Sequence, residues 1–553
     1  MVSRPLPAVE PEILLAKGIA LHLVVQRTRS ESRRGCGVLD AATGSAEHFP
    51  QIERLVAFQQ LRPGIGRGVP CIVAWVDREY GDIGHRIPPT QARGDASSCR
   101  DRASAEAMRM PRSLPVLLLF IALPHGVVAA SHLAISPAQL ANICRTAQPG
   151  DTITVPNGTY TDQHFVLKAT GTKERPITFR AETPGKVILN GTSRLSIGGD
   201  YLVVDGLQFR GGALASGSII EFRGHSSPLA RHCVLRNTTI IDYNAPKIDT
   251  RYFWVSLYGA DNTVENCWFS GQTHAGVTLC VWLDGSHPAR HVIRRNYFGN
   301  RPRGNKNGFE TIRIGTSARS MTNARCLVAE NLFERCDGEI EIVSNKSCEN
   351  TYARNTFRHC SGCLTLRHGN RCKVEGNIFI GGNAKGAGGV RVIGEGHRIA
   401  GNHFSGTKSR AGGAISLQTG IPDSPLSGYF QVKDCAINGN TFIDNPGVLF
   451  ALDAGYGKKD STLLPETVTI ADNLMVAPDQ AKPMVTATRP PTGVVWKSNL
   501  AIGGTIGIEP PSGIQLTDAI PEEWRNRPQP QPLKQTDVGP GWLHGAATVR
   551  PTR

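Results

Sequence analysis

Long, uniformly amphipathic helical stretches are scarce in this 553-residue chain, which argues for a turn-rich β protein. No apolar run of residues 1–107 reaches the length of a bilayer span; the stretch from Ile13 to Val25 is interrupted by Lys17 and His22 and is too short. Paired short cysteine spacings are also missing. Of fourteen cysteines only Cys360 and Cys363 form a tight CxxC, and no second pair follows at finger-like spacing, so a zinc finger is excluded. Eleven cysteines fall between Cys144 and Cys435, several about one repeat apart, as in Cys326, Cys348 and Cys372 or Cys336 and Cys360. That pattern reads as stacked buried thiols, with one or two disulfides open to an exported chain. No nucleic-acid-binding motif accompanies the excess of 61 basic over 46 acidic side chains. The basic residues are scattered, and a net charge of +15 suits any other polyanion equally well.

What is present begins with a leader-like segment inside the chain. Residues 1–107 are Arg-rich, without sustained period, and are expected to be a poorly ordered extension upstream of the true start. MRMPRSLPVLLLFIALPHGVVAASH opens at Met108, with Arg109 and Arg112 as a basic flank and Leu114 to Leu123 as an apolar stretch. Val128, Ala129 and Ala130 supply the small residues that a signal peptidase requires. Pro115 and Pro124 argue against a buried helix. Residues 108–130 are therefore expected to be a signal peptide and 131–553 an exported domain, periplasmic or secreted, with no stable membrane anchor.

From Ser136 the chain becomes regular. Ser136 followed by Pro137 reads as an N-cap and first helical residue, and GDTITVPNGTYTD as a strand with a turn at Asn157-Gly158. Then a motif recurs, an Asn with a large apolar residue two positions on, at Asn266, Asn296, Asn331, Asn355, Asn377, Asn402, Asn440 and Asn473. Its shortest intervals, 22 to 25 residues, approach one coil of a parallel β-helix, and the longer ones are coils with inserted loops. Leucine-rich LxxLxL and propeller Trp-Asp signals are absent. The expected fold is all-β: a right-handed parallel β-helix with a short N-terminal capping helix. The Asn side chains would bond from coil to coil, with the aromatics stacked inside. Aligning the coils puts Ile312 and Ile314, Ile340 and Ile342, Leu364 and Leu366, Val390 and Val392, and Ile415 and Leu417 inward. The outward column would then be Arg313, Glu341, Thr365, Arg391 and Ser416, a mixed-charge face suited to a charged polymer.

Chemistry concentrates between Asn307 and Arg367. Glu339 and Glu341 alternate with Ile340 and Ile342, so a strand aims both carboxylates at one face, where they repel unless a cation intervenes. Asn307, Glu310, Glu339 and Glu341 can converge across coils about 4.8 Å apart. All four offer hard oxygen ligands, which favours calcium over zinc or copper. The competing reading is a set of exposed acids neutralised by Arg313 and Lys306. Lys346 and Arg367 lie beside this cluster, where a lysine can be pushed towards service as a base.

NGFETIRIG (307–315), EIEIVSNK (339–346) and LRHGN (366–370) at these spacings resemble polysaccharide lyase family six, the group of alginate lyases and chondroitinase B. PITFRAETPGKVILNG (176–191), YLVVDGLQFRGG (201–212) and DVGPGW (537–542) support the resemblance, which runs from about Ser136 to Trp542. It implies a right-handed parallel β-helix and β-elimination on a uronic-acid polymer. Calcium on Asn307, Glu310, Glu339 and Glu341 is implied as cofactor, Lys346 as base, and Arg367 as the group stabilising developing charge. Arg313, His368 and His274 are weaker expectations for substrate contacts. Alginate is the expected substrate; the alternatives are chondroitin or dermatan sulfate, and a non-catalytic β-helix that only binds polysaccharide.

Overall fold

Parallel strands can be stacked coil upon coil only if every turn between them finds partners for its buried backbone groups, and this chain meets that demand with asparagine. The computed structural model describes residues 24–25, 37–38, 129–224, 228–477, 482–528 and 530–545. The chain divides into two units, Met1–Leu118 and Leu119–Arg553. In the first, Val24–Val25 pairs antiparallel with Gly37–Val38. The expectations for 1–107 otherwise, and for 108–128, lie outside the described residues.

The second unit is a right-handed parallel β-helix. Each coil gives one short strand to each of three parallel sheets, of 14, 14 and 13 strands. Along one corner Asn296, Asn331, Asn355, Asn377, Asn402, Asn440, Asn473 and Asn499 form a ladder. Each backbone N–H up to Asn473 donates to the next Asn Oδ1 at 2.9–3.1 Å. All are buried. The carboxamide both donates and accepts, so one side chain fills a turn that would otherwise strand polar atoms. The residue before each ladder Asn is left-handed, as at Arg295 (φ 54°), Glu330 (56°) and Arg354 (52°); Gly376, Gly401 and Gly439 occupy it without the Cβ penalty. Two residues after the ladder Asn, Phe298, Phe333, Phe357, Phe379, Phe404 and Phe442 stack with ring centroids 4.5–5.0 Å apart. Phe269 extends the stack at 5.3 Å.

Phe269 also exposes an error of register. Cys267, not Asn266, stands in line with Asn296, and its N–H donates to Asn296 Oδ1 at 2.9 Å. Asn266 sits one residue earlier, at the left-handed corner (φ 50°). The motif there was matched one position off because Trp268 and Phe269 are both large and apolar.

The helix Pro137–Thr146 covers the open end of the core, with Ser136 Oγ accepting from Gln139 N at 3.3 Å and Leu140 buried. Cysteines 144 to 435, eleven in all, are free thiols, all but Cys144 buried. Cys336 N–H donates to Cys360 Sγ at 3.4 Å, so the stacked-thiol reading describes them and the disulfide option does not. Among the described residues no helix is long and apolar enough to cross a membrane.

A second error concerns the strand that carries the carboxylates. Ile312 faces Val343 and Ile314 faces Asn345, so Ile340 and Ile342 are not their partners. The outward column reads Cys280, Arg313, Ser344, Thr365, Arg391 and Ser416, with Ser344 where Glu341 was expected. Glu339 and Ile340 precede the strand, which begins at Glu341. The register lies three residues later than the alternation of Ile340 and Ile342 suggests.

Histidines take ladder-like positions elsewhere: Asn262 N–H donates to His291 Nδ1 at 3.1 Å, and Cys372 N–H to His397 Nδ1 at 3.2 Å. Burial lowers His291 to about 3 and His397 to about 4, so both are neutral acceptors at pH 7. The unfolded chain takes up these protons near pH 6.5, the folded one only near pH 3–4. Stability is therefore present above about pH 6.5 and falls as pH drops from there, by up to about 1.4 kcal/mol per unit for each group. His397→Asn, which puts the ladder's commonest residue in place, is expected to flatten the acid limb of a urea-unfolding pH profile between 6.5 and 4.

Candidate active site

Two irregularities in one strand pair build the site. The strands Glu341–Lys346 and Cys363–His368 are neighbours in adjacent coils. Glu341 pairs with Cys363 and Val343 with Leu364, so Ile342 is extra; Asn345 pairs with Leu366 and Lys346 with His368, so Arg367 is extra. Each bulge re-aims side chains that a regular ladder would alternate. Alternation sets Lys346 and Arg367 on one face, and the bulge at Ile342 brings Glu341 to it.

Arg367 is held on several sides. Its Nη1 donates to Gly428 O at 2.7 Å and to His368 Nδ1 at 3.2 Å, and its Nη2 to Ser427 O at 3.0 Å. Nε lies 3.7 Å from Glu341 Oε1, and the guanidinium sits 4.4 Å from the centroid of the Tyr429 ring. Arg391 reaches the same carboxylate at 3.9 Å and the same ring at 5.2 Å, while Gln418 Oε1 accepts from its Nη2 at 2.7 Å. Lys346 is half-buried and, among the described residues, has no hydrogen bond or ion pair. A lone ammonium beside two anchored guanidiniums is the least committed cation of the site.

His368 is buried, and burial first, then Arg367 and Lys346, lowers it to about 3. Arginine can only donate, so His368 Nδ1 accepts and its proton is on Nε2, which donates to Ser317 Oγ at 3.1 Å.

The carboxylates gather on the adjoining side. Glu310 and Glu341 are buried, and one buried oxygen of Glu310, Oε2, has no partner. Glu339 Oε2 accepts from Gly308 N at 3.2 Å. Burial, then the charges of Glu310 and Glu341, push Glu339 up to about 8. Three acids that sense one another, one with an orphaned oxygen, fit a hard cation. Among the described residues, no three acidic, His or Cys side chains already stand in ligand geometry. Asn307 is exposed next to this group, on the turn before Gly308. Lys306 does not neutralise the acids; it pairs with Asp249 at 2.9 Å.

Arg313 lies buried below Trp282, 5.2 Å from its ring centroid, with Nη2 donating to Cys280 Sγ at 3.2 Å and Nε unpartnered. His274 is elsewhere. It is fully buried, stacked on Tyr252 at 3.6 Å, and both nitrogens are engaged, by Trp254 Nε1–H and Ala275 O. Burial lowers it to about 4. It belongs to the core and offers no surface to a polymer.

Arg301 and Tyr429 escaped sequence reasoning. Arg301 is buried behind the acids, donating to Gly276 O at 2.6 Å and Phe309 O at 2.7 Å, and so fixes the turn that presents Glu310. Burial lowers it to about 10, against the pull of Glu310. A charge at the inward position that Cys336 takes in the next coil was its only sign. Tyr429 lies in the loop that lengthens the interval from Asn402 to Asn440, and only that length marked it.

The chain matches the family model described as Chondroitinase B over residues 135–530. Among solved structures it is similar to the PL6 family alginate lyase AlyGC, at 33% identity and a TM-score of 0.71, over 76% of this chain and 59% of that one. The chain thus spans about three-fifths of the length of AlyGC. A mannuronic acid specific polysaccharide family 6 lyase from human gut microbiota is 28% identical, with a TM-score of 0.66, covering 75% of this chain and 96% of that one. The PL6 family polysaccharide lyase Pedsa3628 from Pseudopedobacter saltans is 29% identical, with a TM-score of 0.63, covering 74% and 99%. No curated protein matches.

Burial raises the Tyr429 phenol, but the hydrogen bond and charge of Arg391, with Arg367 adding, bring it below its ordinary value. Buried Tyr243, Tyr252 and Tyr297 are pushed the other way by desolvation. A 295-nm titration of the protein minus that of Tyr429→Phe is expected to show one phenol ionising below about pH 10, ahead of Tyr243, Tyr252 and Tyr297. A difference spectrum that titrates with or after them would remove the two arginines from its surroundings.

Proposed function

Since the chain belongs to the chondroitinase B family, polysaccharide lyase family six, we propose that it is an exported lyase cleaving a uronic-acid polymer, alginate, by β-elimination. The observation that carries this reading is the unpaired Lys346 ammonium beside the anchored Arg367 and a trio of mutually repelling acids. Lys346, as the free amine, takes the C5 proton. The C4–O4 bond breaks as the C4–C5 double bond forms, and the departing O4 takes a proton from water, whose hydroxide takes back the proton that Lys346 carried. Arg367, pinned by Ser427, Gly428 and Glu341, keeps its charge and offsets the negative charge that builds during the step.

Calcium on Asn307, Glu310, Glu339 and Glu341 would neutralise the sugar carboxylate and so acidify the C5 proton. The raised Glu339 and the orphaned Glu310 oxygen support a cation there. His368, buried as a neutral ring, orients Arg367.

Alginate is favoured because one similar structure is described as an alginate lyase and another as a mannuronic acid specific family 6 lyase. The sulfated alternative asks for guanidiniums free to meet sulfate. Of the three candidates Arg391 is bound to Gln418 and Arg371 pairs with Glu349 at 3.1 Å, which leaves the exposed Arg303 for such a contact. Export rests on the 108–130 leader.

Incubated with alginate, the full chain is expected to raise ultraviolet absorbance from the unsaturated product, with a smaller response on dermatan sulfate and loss of activity in chelator. Silence on every polyuronate would sink the lyase reading. Lys346→Ala is expected to lower turnover by about 10²–10⁴ and Arg367→Ala by about 10²–10³. Full activity of the lysine variant would remove it as the base.

A further inference from the structure

An amide sits in the core where its column calls for a hydrocarbon. Asn345 stands between Ile314 of the preceding coil and Leu366 of the next, fully buried. It is not part of the corner ladder, whose carboxamide oxygens accept from the backbone of the preceding coil. Asn345 Nδ2 donates to Ser347 O and to His368 O, both at 2.8 Å. Its Oδ1 accepts from Asn350 Nδ2 and from the Tyr352 hydroxyl, again both at 2.8 Å. Two donors and two lone pairs are all the bonds a carboxamide can make. Every one is used.

The acceptors decide what this group does. Ser347 follows Lys346 and His368 follows Arg367, so one rigid amide ties the main chain just past both side chains, across two coils. The tie lies at the bulge that makes Arg367 an extra residue. The approach is close on this side: a Cβ on Gly369 would lie 2.3 Å from the Ser347 carbonyl carbon. Tyr352, inward from another sheet and fully buried, fixes the amide from behind, and Asn350, whose Oδ1 accepts from Cys326 N at 2.9 Å, fixes it from the corner.

We propose that Asn345, braced by Tyr352, is a positioning residue that sets the distance and aim of Lys346 relative to Arg367. The proposal rests on the roles assigned to those two side chains above. A polar group in an apolar column is costly unless fully bonded, and a leucine would pack in its place. Proton abstraction and charge stabilisation must act on one sugar at once, and misplacement by about an ångström can cost about a hundredfold in rate.

The test compares Tyr352→Phe, Asn345→Leu, Lys346→Ala and Arg367→Ala in the full chain, measuring kcat, KM and thermal unfolding. Tyr352→Phe removes one hydrogen bond and keeps the ring. It is expected to lower kcat roughly tenfold with KM within about twofold and the unfolding midpoint nearly unchanged, the signature of lost alignment. Asn345→Leu is expected to lower kcat about a hundredfold; where it fails to fold, Tyr352→Phe decides alone. Unchanged kcat in folded Tyr352→Phe overturns the proposal, as does a loss that only follows the unfolded fraction. Full activity of Lys346→Ala and Arg367→Ala would overturn the functional reading, and the proposal with it. Inactive Lys346→Ala with fully active Tyr352→Phe would overturn the positioning role alone.

Discussion

Buried backbone must be hydrogen-bonded, and in a parallel β-helix the turns are where that demand is hardest to meet. The ladder from Asn296 to Asn499 meets it by letting each carboxamide serve the backbone of the preceding coil. Each such bond contributes about 1 kcal/mol net, while an unfilled turn group costs about 1–3 kcal/mol. The ladder therefore does more to exclude misregistered coils than to add stability. Its fixed spacing also places Phe298 to Phe442 in one continuous stack and sets the outer sheet faces in columns. Loops are free to lengthen between coils because the corner, not the loop, holds the register.

The site departs from that regularity at two bulges in one strand pair. Strict alternation from Ser344 and Thr365, which stand in the column of Arg313 and Arg391, turns Lys346 and Arg367 outward but would turn Glu341 inward. The bulges bring Glu341 to that face, 3.7 Å from Arg367 and 3.9 Å from Arg391, and leave Arg367 as an extra residue. They need support from behind, and the Asn345 amide provides it with bonds to two carbonyls. Function here is built from local irregularity on a rigid frame.

Charge is concentrated where packing alone would avoid it. Glu310, Glu339 and Glu341 repel, Arg301 and Arg313 are buried, and neither arginine has a carboxylate in salt-bridge range among the described residues. Such groups subtract from stability unless a ligand completes them. The rest of the helix offsets this, because the many surface pairs, such as Arg290 with Asp261 and Arg325 with Glu349, lie on other faces. Tyr429 and the loop carrying Ser427 and Gly428 close over the arginines and remove them from bulk water.

Repetition was legible in the chain by itself. The Asn-x-aromatic period identified the β-helix and the cysteine spacing its stacked thiols, because in a solenoid each coil must satisfy the same local rules and so repeats the same residues; Ser136 and Pro137 marked the capping helix. The neighbourhood of Asn307 to Arg367 was legible as a cluster of acids with two cations. Its register was not. The Ile340–Ile342 alternation precedes the paired stretch by three residues, so the column was misread at Glu341, and Asn266 was taken for Cys267 where two large apolar residues adjoin. His274, expected to touch substrate, is stacked on Tyr252 in the core. Tyr429 and Arg301 come from distant stretches, and Asn345 hides in a strand as one more polar residue. Sequence determined which interactions repeat from coil to coil. Tertiary structure decided the exceptions, because burial, bulge position and cross-coil partners depend on residues that neighbour each other only after the chain has wound.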